Sequence, residues 1–317
     1  MLCGSRLICV MIFRKGTEMN KRFTTILVAG GLLVAGVAGA IGFTQQASAD
    51  QLTVPAANTI QAVRRGPGGG NGGNGGGNGG GAGSARGASF RVSCAPGIVD
   101  AVDPIVMPGH TGMSHFHQFF GNLAIDENTT AESLRAEPAT SCRNAADSSG
   151  YWVPTLINDG TMVSPTGVEI TYRKSVSAPV VAHPAGLMLI AGSSKATEAQ
   201  ATSIVSWSCS GSNAAGTAAP TVCRNRQSLV ATIRFPECWD GVNLDSADHK
   251  SHVSYASNGV CAAGTVALPQ IEMRINYPRQ ADVTTLSLAS GSIFSMHADF
   301  FNGWNQRRFE RQVSGLN

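Results

Sequence analysis

The sequence predicts an all-β protein, a single large β-sandwich or jelly-roll-like domain with long loops and few short helices, at residues 89–317. Three observations carry that expectation. Short, mostly alternating runs rich in β-branched side chains recur along the chain, Pro and Gly punctuate nearly every gap, and helical periodicity is almost absent. Strands are expected at 168–173 (VEITYR), 203–208 (SIVSWS), 229–235 (LVATIRF) and 271–276 (IEMRIN). Alternation offers one face of each to a core and the other to water. Turn residues at Pro108-Gly109, Asp159-Gly160, 184–186 (PAG) and Asp240-Gly241 mark the gaps. Helices are expected only at 130–136, which opens on a Thr cap, and near 305–313.

The chain ahead of that domain reads as an export and tether region. Residues 1–18 look like an upstream mis-start; Met19-Asn20-Lys21-Arg22 is a basic n-region, 26–43 an uncharged apolar run, and Ala47-Ser48-Ala49 an A-x-A cleavage site before Asp50. Residues 1–49 are therefore expected to be mis-start plus signal peptide. An uncleaved N-terminal membrane anchor is the alternative, since the run reaches the lower length limit of a span. Residues 50–88 form a Gly/Asn-rich linker whose 66–83 tract (GPGGGNGGNGGGNGGGAG) has no apolar surface to bury. The expected location is secreted or extracellular.

Charge and cysteine usage bound the function. The chain's net charge of +3 resides in the leader and linker, because residues 84–317 hold 16 Lys+Arg against 18 Asp+Glu. A nucleic-acid partner is excluded, as phosphate neutralisation needs clustered surplus cations. No membrane contact is expected after signal cleavage. With only 14% charged residues the chain cannot furnish a coiled coil either. Six cysteines follow the signal peptide, an even number suited to an oxidising compartment, and pairing sequence neighbours (Cys94 with Cys142, Cys209 with Cys223, Cys238 with Cys261) closes the shortest loops. No pair has the C-x-x-C spacing of a zinc knuckle.

Five of the seven histidines fall in three short polar motifs: His115-Phe116-His117, Asp248-His249-Lys250-Ser251-His252, and His297-Ala298-Asp299. In extended chain, His115 and His117 share a face, as do His297 and Asp299. Three roles stay open for them: ligands of a divalent metal, metal-free catalysis or polar-ligand binding, and structural histidines at strand ends. No cofactor is specified beyond that open divalent metal. The segment 235–252 (FPECWDGVNLDSADHKSH) sets four acids, two histidines and Trp239 beside Cys238. Asp240, Asp245 and Asp248 there can accept sugar hydroxyls or supply a general acid, or simply close Asx turns.

The series DPIVMPGHTGMSHFHQFFGN, DSSGYWVPTL, FPECWDGVNLDSADHKSHVSY and HADFFNGW resembles a secreted family of uncharacterised domains of bacteria and fungi, over about residues 98–305. Its fungal members are often joined to WSC-type carbohydrate-binding modules. The resemblance carries no catalytic assignment, and implies an extracellular role tied to polysaccharide or cell wall. One position departs from the pattern: Gly150 stands where Ala is expected before Tyr151-Trp152.

Two functions follow. The first is a carbohydrate-active hydrolase or lyase acting on a cell-wall or extracellular polysaccharide. A hydrolase would draw two carboxyls from Asp240, Asp245, Asp248 and Asp299; a lyase on uronic-acid polymers would need a cation near the substrate carboxylate and a base for the α-proton from His117, His252 or Tyr255. The second is a non-catalytic glycan-binding or cell-surface protein that stacks sugars on Trp152, Trp239 and Trp304. In both, His115, His117, His252, His297 and Asp299 are expected to share one site. A serine hydrolase is disfavoured because no G-x-S-x-G elbow is present, and the glycine tract lacks the Lys-Ser/Thr of a P-loop.

Overall fold

In the computed structural model, which describes residues 88–317, alternating sequence becomes alternating burial. The expected signal peptide and all but the last residue of the expected linker lie outside the described residues. In chain order the strands are β1 Ser89–Cys94, β2 Pro96–Asp100, β3 His117–Gly121, β4 Gly150–Pro154, β5 Leu156–Asn158, β6 Thr161–Val163, β7 Gly167–Arg173, β8 Met188–Gly192, β9 Val205–Cys209, β10 Leu229–Arg234, β11 Cys238–Trp239, β12 Val253–Ser254, β13 Val266–Ala267, β14 Gln270–Tyr277, β15 Leu286–Leu288 and β16 His297–Phe301. The helices are α1, Ala131–Ala136, and α2, Gln306–Ser314. Among the described residues no helix is long and apolar enough to cross a membrane.

Two five-stranded antiparallel sheets, ordered β1-β7-β14-β10-β9 and β2-β3-β4-β16-β8, form the sandwich the sequence predicts; two three-stranded sheets flank them. Register across the first sheet aligns Val92, Ile170, Met273, Ile233 and Val205 in one inward row. Its outward neighbours Arg91, Thr171, Glu272 and Arg234 make the polar face, where Arg234 Nε meets Glu272 Oε2 at 2.7 Å. Phe120, Tyr151, Phe300 and Leu189 form the answering row of the second sheet and join the same buried core. Each such large side chain contributes about 1.5–3 kcal/mol on burial, so the inter-sheet space is the main stabilising element.

The second sheet is buried on its other face as well, and that determines where a site can form. Phe119, Trp152, Phe301, Met188 and Ile190 point away from the first sheet into a smaller core closed by Val102, Ile105, Ile125 and Leu134 of the covering loops and α1. Loop 101–116 and α1 are therefore a lid on a sheet face. A Cβ at Gly150 would meet the tip of the Ile125 side chain, which would have to shift to admit it. Helix α1 starts where the Thr130 hydroxyl accepts from Ser133 N, and α2 starts at Asn305, whose side chain accepts from Arg308 N. Disulfides join Cys94 to Cys142, Cys209 to Cys223 and Cys238 to Cys261, the sequence-neighbour pairing.

Between the sheets runs one buried polar chain. The Trp304 indole can only donate, and does so to the Tyr172 hydroxyl at 3.0 Å; Tyr172 then donates to Tyr151 at 2.6 Å, and Tyr151 to Asp147 Oδ2 at 2.8 Å. Desolvation pushes the Asp147 carboxyl up to about 7 despite those donors.

Candidate metal centre

Strand pairing places the histidines. His117 opens β3 and His297 opens β16, at the same end of the second sheet, with β4 between them. Pro154 of β4 pairs with His117, and having no N–H it adds no ladder bond toward β16, whose pairing with β4 begins at Asp299. His297 instead pairs with Gly192 of β8. Both imidazoles lie on the face that carries Phe119, Trp152 and Ile190, at its uncovered end, and His115 reaches them from the lid loop two residues before β3. Gly192 makes this approach feasible: its φ is +79°, and a Cβ there would sit 2.7 Å from Met296 O and 3.1 Å from His297 Cα.

Among the described residues, His115, His117 and His297 form a group whose ligand atoms lie within 4.8 Å of one another. His117 Nδ1 donates to Val102 O at 2.9 Å and His297 Nδ1 donates to Ser295 O at 2.8 Å. Those bonds fix the tautomer, so each presents its Nε2 lone pair inward, as second-sphere carbonyls do for metal-bound histidine. His117 Nε2 is buried without a partner. His115 Nε2 lies 3.3 Å from His297 Nε2. With His297 an acceptor there, a proton on His115 fills the gap when no ion is bound. That separation also matches the edge of a tetrahedron whose vertices lie about 2.05 Å from a zinc ion, about 3.3–3.4 Å.

Electrostatics keep the group ready for a cation. Burial lowers His115 to about 4 and His297 to about 3, and drives His117 well below the ordinary histidine value. All three are neutral at physiological pH, the state that binds metal. The 3.8 Å approach of His297 Nε2 to Asp299 Oδ2 is accordingly no salt bridge. Desolvation holds the Asp299 carboxyl well above the usual range, and its Oδ2 is buried without a partner. Asp299 thus has a free oxygen directed at the cluster.

The cluster is not sealed. A cavity of about 500 Å³ reaches it from solvent, with His115, His297, Asp299, Asp103, Lys195 and Lys250 in its lining, while His117 stays behind them. Asp103 is a member that the sequence does not single out. Its Oδ1 accepts from Ile105 N and Val106 N, and burial raises its carboxyl. Only the fold brings Asp103 into one lining with Asp299. A comparable groove over Arg91, Glu169, Arg173 and Arg274 is the solvated outer face of the first sheet and holds no convergent unpartnered group.

Several expected members of the site are placed elsewhere. His252 does not join the cluster: its Nε2 donates to Met188 O at 2.8 Å and its Nδ1 meets Ser246 Oγ at 2.9 Å, so both nitrogens are occupied in fastening the loop to the far end of β8 from Gly192. Asp240 accepts from Val242 N, Asn243 N and Asn243 Nδ2 and closes a turn of its own loop; Asp248 accepts from Lys250 N and Ser251 N but, with His249, does line the cavity beside His115, His297 and Asp299. Asp245 is engaged by His249 Nδ1 at 2.8 Å. The Tyr255 hydroxyl donates to Arg234 O, and burial raises it further from any use as a base. Trp152 and Trp304 are buried core residues and present no stacking face to solvent. Trp239 is half-buried, with its indole N–H donating to Asn243 O.

A family model described as "Domain of unknown function (DUF1996)" matches residues 103–304, a span that contains the whole cluster. No curated protein and no solved structure matches the chain.

Proposed function

We propose that this chain, which belongs to the DUF1996 family, is a secreted protein that uses a three-histidine metal centre to act on an extracellular polysaccharide as a hydrolase or lyase. The observation that carries the reading is the convergence of three imidazole Nε2 atoms, two with their lone pairs aimed by backbone carbonyls, beside an unpartnered carboxyl oxygen at an open cavity. Unpartnered buried polar atoms are costly, about 1–3 kcal/mol each, and a bound cation would satisfy several at once. Nitrogen ligands with one carboxylate suit zinc first among the common divalent ions. Bound there, zinc would supply Lewis acidity toward a substrate oxygen. Asp299 can complete the ligand set or carry a proton for the reaction. Three disulfides support the extracellular setting. A two-carboxylate hydrolysis using Asp240 or Asp245 finds no support in the geometry, because neither lines the cavity, and Asp248, which does, has its Oδ1 taken by four donors of its own loop.

The test is metal stoichiometry paired with turnover. Chelator-stripped protein is reloaded with Zn²⁺, Cu²⁺, Ni²⁺ or Mn²⁺, desalted and measured by elemental analysis, and then offered polysaccharides with reducing-end and unsaturated-product assays. We expect one zinc per chain, lost in His117→Ala and kept in His252→Ala, with turnover only in the loaded form. Retention of none of the four ions by the folded wild type would overturn the proposal.

A further inference from the structure

The charge around the centre specifies more than a metal. Three imidazoles bring no charge to a bound ion, and Asp299 can offset at most one of its two positive charges. Lys250 adds another cation beside it. The Lys250 ammonium donates to Gly192 O at 2.6 Å, and Gly192 is the residue paired with His297. One ladder rung therefore fixes both the imidazole and the ammonium, and Lys250 lines the same cavity with its remaining N–H donors free. Lys195 lies in that lining too. Asp248 lies in the same lining, and the neutral donors Ser246 Oγ, Lys250 N, Ser251 N and Ser251 Oγ on its Oδ1 favour its charged form, so it offsets one of the two lysines and leaves the other lysine and the bound ion in excess. A cation centre with neutral ligands and two lysines at the mouth is suited to an anion.

The rest of the lining suits a sugar. Hydroxyls of Ser114, Ser193 and Ser194 face the cavity, and the thioethers of Met107 and Met113 give it an apolar flank that can meet the C–H face of a pyranose. From this juxtaposition we infer that the ligand is a uronate, a carboxylate-bearing sugar unit of an acidic extracellular polysaccharide, with its carboxylate held between the bound ion and the Lys250 ammonium. The inference rests on the metal reading above.

The experiment is calorimetric titration of the zinc-loaded full chain with short oligomers of galacturonate, glucuronate, mannuronate and guluronate. Methyl esters of the same oligomers, neutral oligosaccharides, and inorganic phosphate and sulfate serve as the other arms, and zinc per chain is measured in every sample. We expect at least one uronate oligomer to bind below about 1 mM. Esterification should weaken it about tenfold or more, the scale of a lost charge-assisted contact. Lys250→Met should cause a similar loss with zinc still at one per chain, and Lys250→Arg should restore binding. The inference is overturned if zinc is present and no uronate binds, if the ester or a neutral oligomer binds as tightly, or if phosphate or sulfate alone matches the uronate. Absence of zinc from the wild type would refute the metal reading instead, and that is read in the same tubes.

Discussion

Replacing Asp147 by asparagine tests the buried polar chain between the sheets through its pH dependence. The carboxyl is wholly buried and pushed from 3.8 up to about 7, chiefly by desolvation, so the folded state keeps its proton long after the unfolded chain has lost it. A raised carboxyl contributes stability that is fully present below the unfolded value and is lost as pH rises through the folded one. From pH 5 to pH 8 that loss spans about two pH units at about 1.4 kcal/mol each, or about 3 kcal/mol. The substituted amide cannot titrate. It also has one acceptor oxygen where Ser149 N and the Tyr151 hydroxyl both need one, which costs about 1–3 kcal/mol at any pH. Urea unfolding of chelator-treated wild type and Asp147→Asn, followed by tryptophan fluorescence at pH 5, 6, 7 and 8, isolates the effect because the two proteins differ in no other ionisable group. The wild-type advantage should shrink by about 3 kcal/mol across that range. An advantage that stays constant within about 0.5 kcal/mol would show that the carboxyl ionises normally, and the desolvation argument would fail.

Three further outcomes follow from particular contacts. Serine at both Cys209 and Cys223 opens a loop of sequence separation 14 and should cost about 3 kcal/mol in urea unfolding, with zinc stoichiometry unchanged. Gly192→Ala forces a Cβ against Met296 O in a left-handed backbone; it should lower stability by more than the about 1–2 kcal/mol of the backbone strain alone and, by displacing His297, weaken zinc at least tenfold. His252→Ala should lose about 1–3 kcal/mol and make the 240–252 segment the first protease cut, while zinc binding persists; loss of zinc with the fold intact would return His252 to the site.

The sandwich was legible because its signal is local. The expected runs at 168–173, 229–235 and 271–276 coincide with β7, β10 and β14 to within a residue at each end, Thr130 caps α1 as expected, and α2 lies at the stretch expected near 305–313. Strands β3, β4 and β16 were harder to read. HQFFG, GYWVP and HADFF are buried on both faces, so they lack alternation and look like undifferentiated polar-aromatic motifs. The same double burial carries His117, His297 and Asp299 inside. Spacing put His115 beside His117, and His297 beside Asp299. It could not reveal that β4 separates the two strands, or that Pro154 and Gly192 clear the space in which the rings meet.

The loop at 235–252 shows why density of chemical groups is a poor guide to a site. It holds more acids and histidines than any segment of similar length, yet Asp240 and Asp248 each accept several bonds from their own turn and His252 has both nitrogens engaged. A saturated carboxylate is a strut: its low proton affinity, clearest at Asp248, records the donors already committed to it. The histidine cluster is the reverse case. His117 Nε2 and Asp299 Oδ2 are buried without partners, and both lie beside the His297 lone pair. Isolated unpartnered atoms also occur at Trp207 and Tyr277 inside the apolar core, where no second ligand atom adjoins them. What separates the cluster from those is the grouping of ligand-type atoms whose hydrogen-bond capacity the fold leaves unused, at the inner end of a cavity whose cations leave room for an anion. The loop contributes to that cavity through Asp248, His249 and Lys250, and the Asp248 turn holds Lys250 in place.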